Sequence, residues 1–296
     1  MAEKNLSWQS KLVLLAVLPF AGTEVVLECS WWGAHAPRVA VWTIGLSALL
    51  GLVTWVLRAA TPAAAAAGAL IAASLMFSTV AAPYAPWHTG LVPMVTVSLL
   101  AFAVTRLGRQ KKERLGTAEG LLGRSAAQIA ANLGVAAMAA SSPVQNWLMD
   151  CRWLPRPVDP SSLLVLLALA ALAEAAADTA ASEIGQLADG RPRMITTFQA
   201  VDPGRNGAIS LAGSLAGVAA AAIVAGTGVW AMGGGWMVFA VSCAGALFGL
   251  FVDSLLGATL EERGWLNNDA VNFLSTASAA GFALLLLALL PHPGVG

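Results

Sequence analysis

The chain has 296 residues, 58% of them hydrophobic and only 11% charged, with a formal net charge of zero. Repeated uncharged runs of roughly 17 to 25 residues are what bilayer-spanning helices require, so the composition excludes a water-soluble globular enzyme. Neutral net charge selects no partner, and no polar stretch between the apolar runs is long enough to bury a core of its own. The expected fold is therefore an all-α polytopic transmembrane helix bundle, with residues 1–296 as a single integral-membrane domain.

Hydropathy in chain order marks nine candidate spans, near 12–28, 39–57, 63–82, 91–105, 125–141, 161–180, 207–230, 235–258 and 270–290. The first follows only Lys4 and Lys11 and has no A-x-A type cleavage site, so it reads as a retained span and not a secretory signal. With the N-terminus in the cytoplasm, Lys4, Lys11, Arg58, Arg106, Arg109, Lys111, Lys112, Arg114, Arg124, Arg191, Arg193, Arg205 and Arg263 lie inside. Only Arg38, Arg152 and Arg156 lie outside, and thirteen against three is the asymmetry of the positive-inside rule. The same orientation gathers the polar clusters described next on the cytoplasmic side, which predicts one cytoplasm-facing site.

The basic loop TRLGRQKKERLG (105–116) is of the kind that orients a membrane protein and touches anionic headgroups. After it, Arg124, Gln128 and Asn132 recur every fourth residue and form a polar stripe that must face protein or water. On the sixth span Glu174, Asp178 and Ser182 share a face, followed by Glu183 and Gly185. Stacked carboxylates repel, and a divalent cation would relieve that repulsion; Mg²⁺ is typically held by one or two carboxylates plus phosphate oxygens. The loop carrying Pro203, Gly204, Arg205, Asn206 and Gly207 has the composition of a phosphate cradle, with Asp202 or Asn206 expected to cap the seventh span. The eighth span sets Gly245, Gly249, Asp253 and Gly257 at four-residue steps: the glycines read as packing, while Asp253 needs a partner, for which a metal shared with Asp178 is one candidate. Asn267, Asn268, Asp269 and Asn272 cluster at the start of the ninth.

His35, His88 and His292 all fall on the predicted outer side, and Cys29, Cys151 and Cys243 show no metal-binding spacing, which argues against a zinc site or a histidine base. Cys29 and Cys151 both fall near the outer face, though nothing in the sequence favours their pairing. No Walker loop, Rossmann glycine fingerprint or nucleophile elbow is present.

The strings TRLG..KK, GRSAAQIAANLG, ADTAASEIG, ITTFQAVDPGRNGAIS and DSLLGATLEERGWLNNDAVNFLS resemble, in order and spacing, the transmembrane protein 19 family, which includes the plant phytyl-phosphate kinases. The resemblance extends weakly to polyprenol kinases and phosphatidate cytidylyltransferases. It implies a multi-helix membrane fold, a nucleoside triphosphate such as CTP as co-substrate, and Mg²⁺. It also implies that Asp178, Ser182, Glu183 and Gly185 form an acidic motif, and Thr197, Gly204, Asn206, Gly207 and Ser210 a loop motif. The family loop usually reads G-T-N-G-G; here Arg205 replaces the threonine and Ala208 the second glycine, and a guanidinium grips phosphate bidentately.

The expected function is a membrane-embedded kinase that transfers a phosphoryl group to an isoprenoid (phytyl or prenyl) monophosphate. Asp178, Glu183 and Asp253 are the expected catalytic residues, and Asp178, Asp253 and Glu174 the metal ligands. Arg124, Gln128, Asn132, Ser182, Thr197, Gly204, Arg205, Asn206, Gly207, Ser210, Asn268, Asp269 and Asn272 are the expected substrate and phosphate contacts. A cytidylyltransferase acting on a lipid phosphate and an ion or small-solute transporter are the alternatives. The expected setting is the lipid bilayer, in the inner (plasma) membrane of a prokaryote, with isoprenoid phosphate and nucleotide as partners and no nucleic acid; a homodimer is left open.

Overall fold

A computed structural model describes residues 7–117, 123–150, 160–188 and 190–290. Lys4, Cys151, Arg152, Arg156 and His292, on which parts of the charge, histidine and cysteine readings rest, lie outside the described residues. The helices run α1 (Trp8–His35), α2 (Pro37–Val56), α3 (Pro62–Ser78), α4 (Leu91–Arg106), α5 (Arg109–Leu115), α6 (Ala126–Ala140), α7 (Ser142–Asp150), α8 (Pro160–Gly185), α9 (Leu211–Met232), α10 (Gly235–Leu256) and α11 (Asn268–Leu289). A two-stranded antiparallel ribbon, β1 (Arg193–Met194) with β2 (Ala208–Ile209), precedes α9.

A helix coincides with every predicted span, but the helices are not equivalent. Among the described residues six are long and apolar enough to cross a membrane: α1, α2, α8, α9, α10 and α11. A seventh is obtained if α4 and α5, bent by 66° at Leu107–Gly108, count as one. The remaining predicted spans are shorter, α3 with 17 residues and α6 with 15. At 1.5 Å per residue α6 reaches only about 23 Å of a roughly 30 Å hydrocarbon layer. A short helix is tolerated at that depth when it is enclosed by protein or opens on an aqueous cavity, and α6 is almost wholly buried.

The core is built on α8, which is apolar on every side over residues 163–173 and is buried nearly throughout. It packs on α9, α10, α11, α6 and α4. Its alanines face glycines on the neighbours, which brings the backbones close. A Cβ at Gly217 of α9 would lie 3.1 Å from the Ala177 carbonyl, and one at Gly245 of α10 would lie 3.2 Å from the Ala170 Cβ. The eighth-span glycines are thus packing surfaces, as their spacing predicted. Outside, exposed tryptophans form two bands. Trp8, Trp55 and Trp265 ring one end, and Trp31, Trp87, Trp147, Trp230 and Trp236 the other, the arrangement expected at the two interfaces of a membrane.

Candidate functional site

At the end of the bundle ringed by Trp8, Trp55 and Trp265, the C-terminal turns of α8 and α10 meet the N-termini of α6, α9 and α11. A cavity of about 400 Å³ lies between them, under the β1–β2 ribbon. The four-residue spacing on α8 puts Asp178 and Ser182 on its wall, and Asp253 enters from the glycine face of α10. The Asp178 and Asp253 carboxyl groups approach within hydrogen-bonding reach, with the Arg124 guanidinium facing Asp178. Asp253 Oδ1 is buried without a hydrogen-bond partner. Glu174 lies one turn deeper on α8, is 1% exposed, packs against Gly249 and is not part of the cavity wall; its Oε1 is also unpartnered.

The sequence predicts a glycine-rich turn feeding a helix in the segment after α8. Instead this segment returns through the β1–β2 ribbon, and Ser210 caps α9 by accepting from the Gly213 N–H at 3.1 Å; neither Asp202 nor Asn206 is the cap. Gly204, Arg205, Asn206, Gly207 and Ser210 all line the cavity. Gly207 has φ +73°, and a Cβ there would lie 2.6 Å from the Ser254 carbonyl oxygen and 2.5 Å from the Ala258 nitrogen. The loop can therefore lie flat on the π-helical turn Gly257–Glu261 that ends α10, provided this residue has no side chain. Arg205 sits at the rim, its Nε donating to Glu262 Oε1 at 3.1 Å. Thr197 is exposed and lies away from the cavity.

The polar stripe at the start of α6 divides its work. Ser125 and Gln128 form a capping box, Gln128 Oε1 accepting from the Ser125 N–H at 2.7 Å, while the Gln128 side chain also borders the cavity. Arg124 Nη2 donates to Thr179 Oγ1 at 3.3 Å. Asn132 and Asn272 meet across α6 and α11, with Asn272 Nδ2 3.4 Å from Asn132 Oδ1, and both line the cavity. Asn268 does too, but Asp269 turns outward to α1 and accepts from Ser10 Oγ at 2.5 Å. Asn267 beside it caps α11 and donates to Ser10 Oγ at 2.8 Å. That end of the asparagine cluster docks α1 onto α11.

Sequence reasoning missed the role of the basic loop. It folds as the short helix α5, and Lys112, only 1% exposed, turns inward. Lys112 Nζ lies 2.5 Å from Glu183 Oε2 and donates to the Val104 and Thr105 carbonyls at 2.7 and 3.2 Å. Glu183 is therefore already paired with a lysine. Thr117, Gln186, Thr179 and Glu261 also border the cavity, with Thr117 Oγ1 donating to Gln186 Oε1 at 2.5 Å. Gln186 adjoins the acidic motif, whereas nothing in the local spacing marks Lys112 or Thr117.

Chemically, the cavity presents the facing carboxyls of Asp178 and Asp253, the side chains of Glu183 and Glu261, two arginines, amide side chains and a flat glycine loop. Among the described residues no group of three or more His, Cys, Asp or Glu side chains is placed to hold a metal by itself. The pair Asp178 and Asp253, with one carboxylate oxygen unpartnered, does fit a Mg²⁺ ion that completes its coordination with phosphate oxygens and water.

Comparison with known proteins agrees with the resemblance read from the motifs. An uncharacterized membrane protein of Synechocystis sp. is 32% identical over 205 residues, covering 66% of this chain and 72% of that protein. An uncharacterized membrane protein of Methanocaldococcus jannaschii is 40% identical over 108 residues, covering 36% of this chain and 45% of the relative. The chloroplastic protein VTE6 of Arabidopsis thaliana is 32% identical over 112 residues, 37% of this chain and 34% of the plant protein. The matched segments thus span less than half of the archaeal and plant relatives. No solved structure matches. The pattern of the integral membrane protein family DUF92 matches residues 45–280, and the chain belongs to that family.

Proposed function

We propose that the chain is a membrane-embedded phosphotransferase that transfers a phosphoryl group from a nucleoside triphosphate, CTP or ATP, to an isoprenoid monophosphate. The observation that carries this reading is the single cavity in which Asp178 and Asp253 face both Arg124 and the Gly204–Gly207 loop. Phosphoryl transfer needs little covalent chemistry from a protein; it needs in-line positioning and neutralisation of the phosphate oxygens. The membership of a family that, by the motif resemblance, includes plant phytyl-phosphate kinases supports the acceptor class. The predicted orientation makes this the cytoplasmic end, where nucleotide is available.

Asp178 and Asp253 would hold Mg²⁺, which when bound neutralises charge on the nucleotide phosphates. The backbone of the Gly204–Gly207 loop and the Arg124 guanidinium bind phosphate oxygens directly. Asn132, Asn272 and Asn268 orient the donor by hydrogen bonds. An oxygen of the acceptor phosphate forms the new bond to the γ-phosphorus as the bond to the bridging oxygen breaks, and the electron pair leaves with the nucleoside diphosphate. A phosphate monoester is largely ionised near neutral pH, so no general base is required, which suits a cavity that no histidine lines among the described residues.

The test is incubation of the detergent-purified protein with Mg²⁺, CTP or ATP and prenyl monophosphates, with product mass spectrometry and Asp178→Asn in parallel. Prenyl diphosphate that disappears in the variant is the expected result. A nucleotide-linked lipid would replace the kinase by a cytidylyltransferase, and absence of product with either nucleotide would overturn the transferase reading.

A further inference from the structure

Beside the acidic cavity lies a second one of about 240 Å³. It occupies the slot between α2 and α3 on one side and α4 on the other, with α6 and α8 behind it. α4 packs mainly on α8 and α9, touches α3 only slightly and does not pack appreciably on α2, so the slot faces the lipid between them. Its walls are apolar, with Leu50, Met94, Val97, Phe102, Ile129 and Leu133 among them, but four arginines, Arg58, Arg106, Arg109 and Arg124, also line it. No aspartate or glutamate does so among the described residues, whereas Asp178, Glu183, Asp253 and Glu261 border the neighbouring cavity. Arg124 and Asn132 line both.

Membrane orientation accounts for arginines at this end of the bundle, but it is satisfied by charge anywhere on that side and does not require four around one apolar slot. Their placement is fixed by specific contacts, and Arg109 already has an acidic partner, its Nε donating to Glu113 Oε1 at 2.8 Å. Arg106 donates from Nη2 to the Leu57 carbonyl at 2.6 Å while its guanidinium lies 3.8 Å over the Phe102 ring. Arg58 holds φ +55°, a left-handed conformation that a glycine would adopt without strain. The adjoining residues are stitched to the Arg124 backbone, with the Arg124 N–H on the Ala59 carbonyl and the Thr61 N–H on the Arg124 carbonyl, each at 3.0 Å. Thr105, whose hydroxyl is buried without a hydrogen-bond partner, is part of the same lining.

Resting on the phosphotransferase reading above, we propose that this chamber is the acceptor subsite: it takes a single isoprenoid chain in the α2–α4 slot and its monophosphate on Arg58, Arg106 and Arg124. The separation of charge has a physical logic. A nucleotide can bring Mg²⁺ to carboxylates, but a lipid phosphate entering from the bilayer brings no metal and needs fixed cations. Arg124 and Asn132 form the shared wall at which the two phosphates meet.

The experiment compares binding of geranylgeranyl monophosphate, geranylgeraniol and phosphatidylglycerol by native mass spectrometry, alongside prenyl kinase kinetics. The variants are Arg58→Gln with Arg106→Gln, and Gly68→Phe. Gly68 lines the slot and a Cβ there meets nothing closer than Ile129 at 3.7 Å, so a ring at this position fills the chamber. The expected result is preference for the monophosphate over both other lipids and about a tenfold or greater rise in its Kd and KM in the arginine variant, with nucleotide KM unchanged. In Gly68→Phe the C20 acceptor is lost while a C5 acceptor is retained. Monophosphate binding that falls in these variants in a protein without kinase activity would sustain the chamber and sink the proposed function. Equal binding of phosphatidylglycerol, or variants that weaken nucleotide and acceptor alike, would overturn the chamber; Gly68→Phe is read only if it elutes as a monodisperse wild-type-like peak.

Discussion

Replacing Lys112 by methionine is the sharpest test of how the site is supported. The ammonium is 1% exposed, 2.5 Å from Glu183 Oε2, and donates to two carbonyls in the last turn of α4. Two unit charges at that separation attract by about 7 kcal/mol at an effective dielectric constant of about 20, and desolvation offsets several kcal/mol of it. Removing one partner of such a pair costs about 3–5 kcal/mol, because the other is left unpaired. Glu183 keeps 16% of its side chain in contact with solvent, so the lower end, about 3 kcal/mol, is expected. The assay is a double-mutant cycle of Lys112→Met and Glu183→Gln, followed by thermal unfolding in a fixed detergent. The double variant should recover about 1–2 kcal/mol relative to the sum of the singles. A Lys112→Met loss below about 1 kcal/mol, or additive singles, would refute the ion pair as a structural brace.

Asp253→Asn should lower turnover at least about 10³-fold with fold retained, since removing one of two facing carboxylates relieves repulsion while deleting one of the two groups proposed to hold Mg²⁺; circular dichroism and steady-state kinetics read the two effects separately. Gly207→Ala should destabilise by about 1–3 kcal/mol and reduce activity more than tenfold, because a Cβ at φ +73° meets Ser254 and Ala258 and lifts the loop; thermal melts and nucleotide KM measure it. Asp269→Asn should leave turnover within about twofold and lower stability by about 1 kcal/mol through its Ser10 contact, so a large loss of turnover at unchanged stability would place Asp269 in the site after all.

Much of the architecture was legible because bilayer physics acts on local sequence. Apolar runs of sufficient length mark helices whatever their neighbours are, and all nine predicted runs are helical. The cavity wall was legible for a similar reason: residues at four-residue spacing share a helix face, so Asp178 with Ser182 and Arg124 with Asn132 were paired before any packing was known. The same logic could not distinguish Asp178 from Glu174, one turn apart on one face, since the cavity's depth decides which of them it reaches.

The sequence by itself determined that this is a helical membrane protein whose polar residues concentrate in a few segments, because hydrophobicity and helical periodicity are properties of the chain read locally. Only the tertiary structure decided that Lys112 turns inward to Glu183, that Asp269 serves α1, and that Ser210 caps α9. It also decided that four arginines from three separate segments surround one apolar slot. Those outcomes depend on which surfaces the helices bring together. A charge or a hydroxyl finds its partner far along the chain, as Ser10 does with Asp269, 259 residues away. Local spacing carries no record of contacts made across such distances.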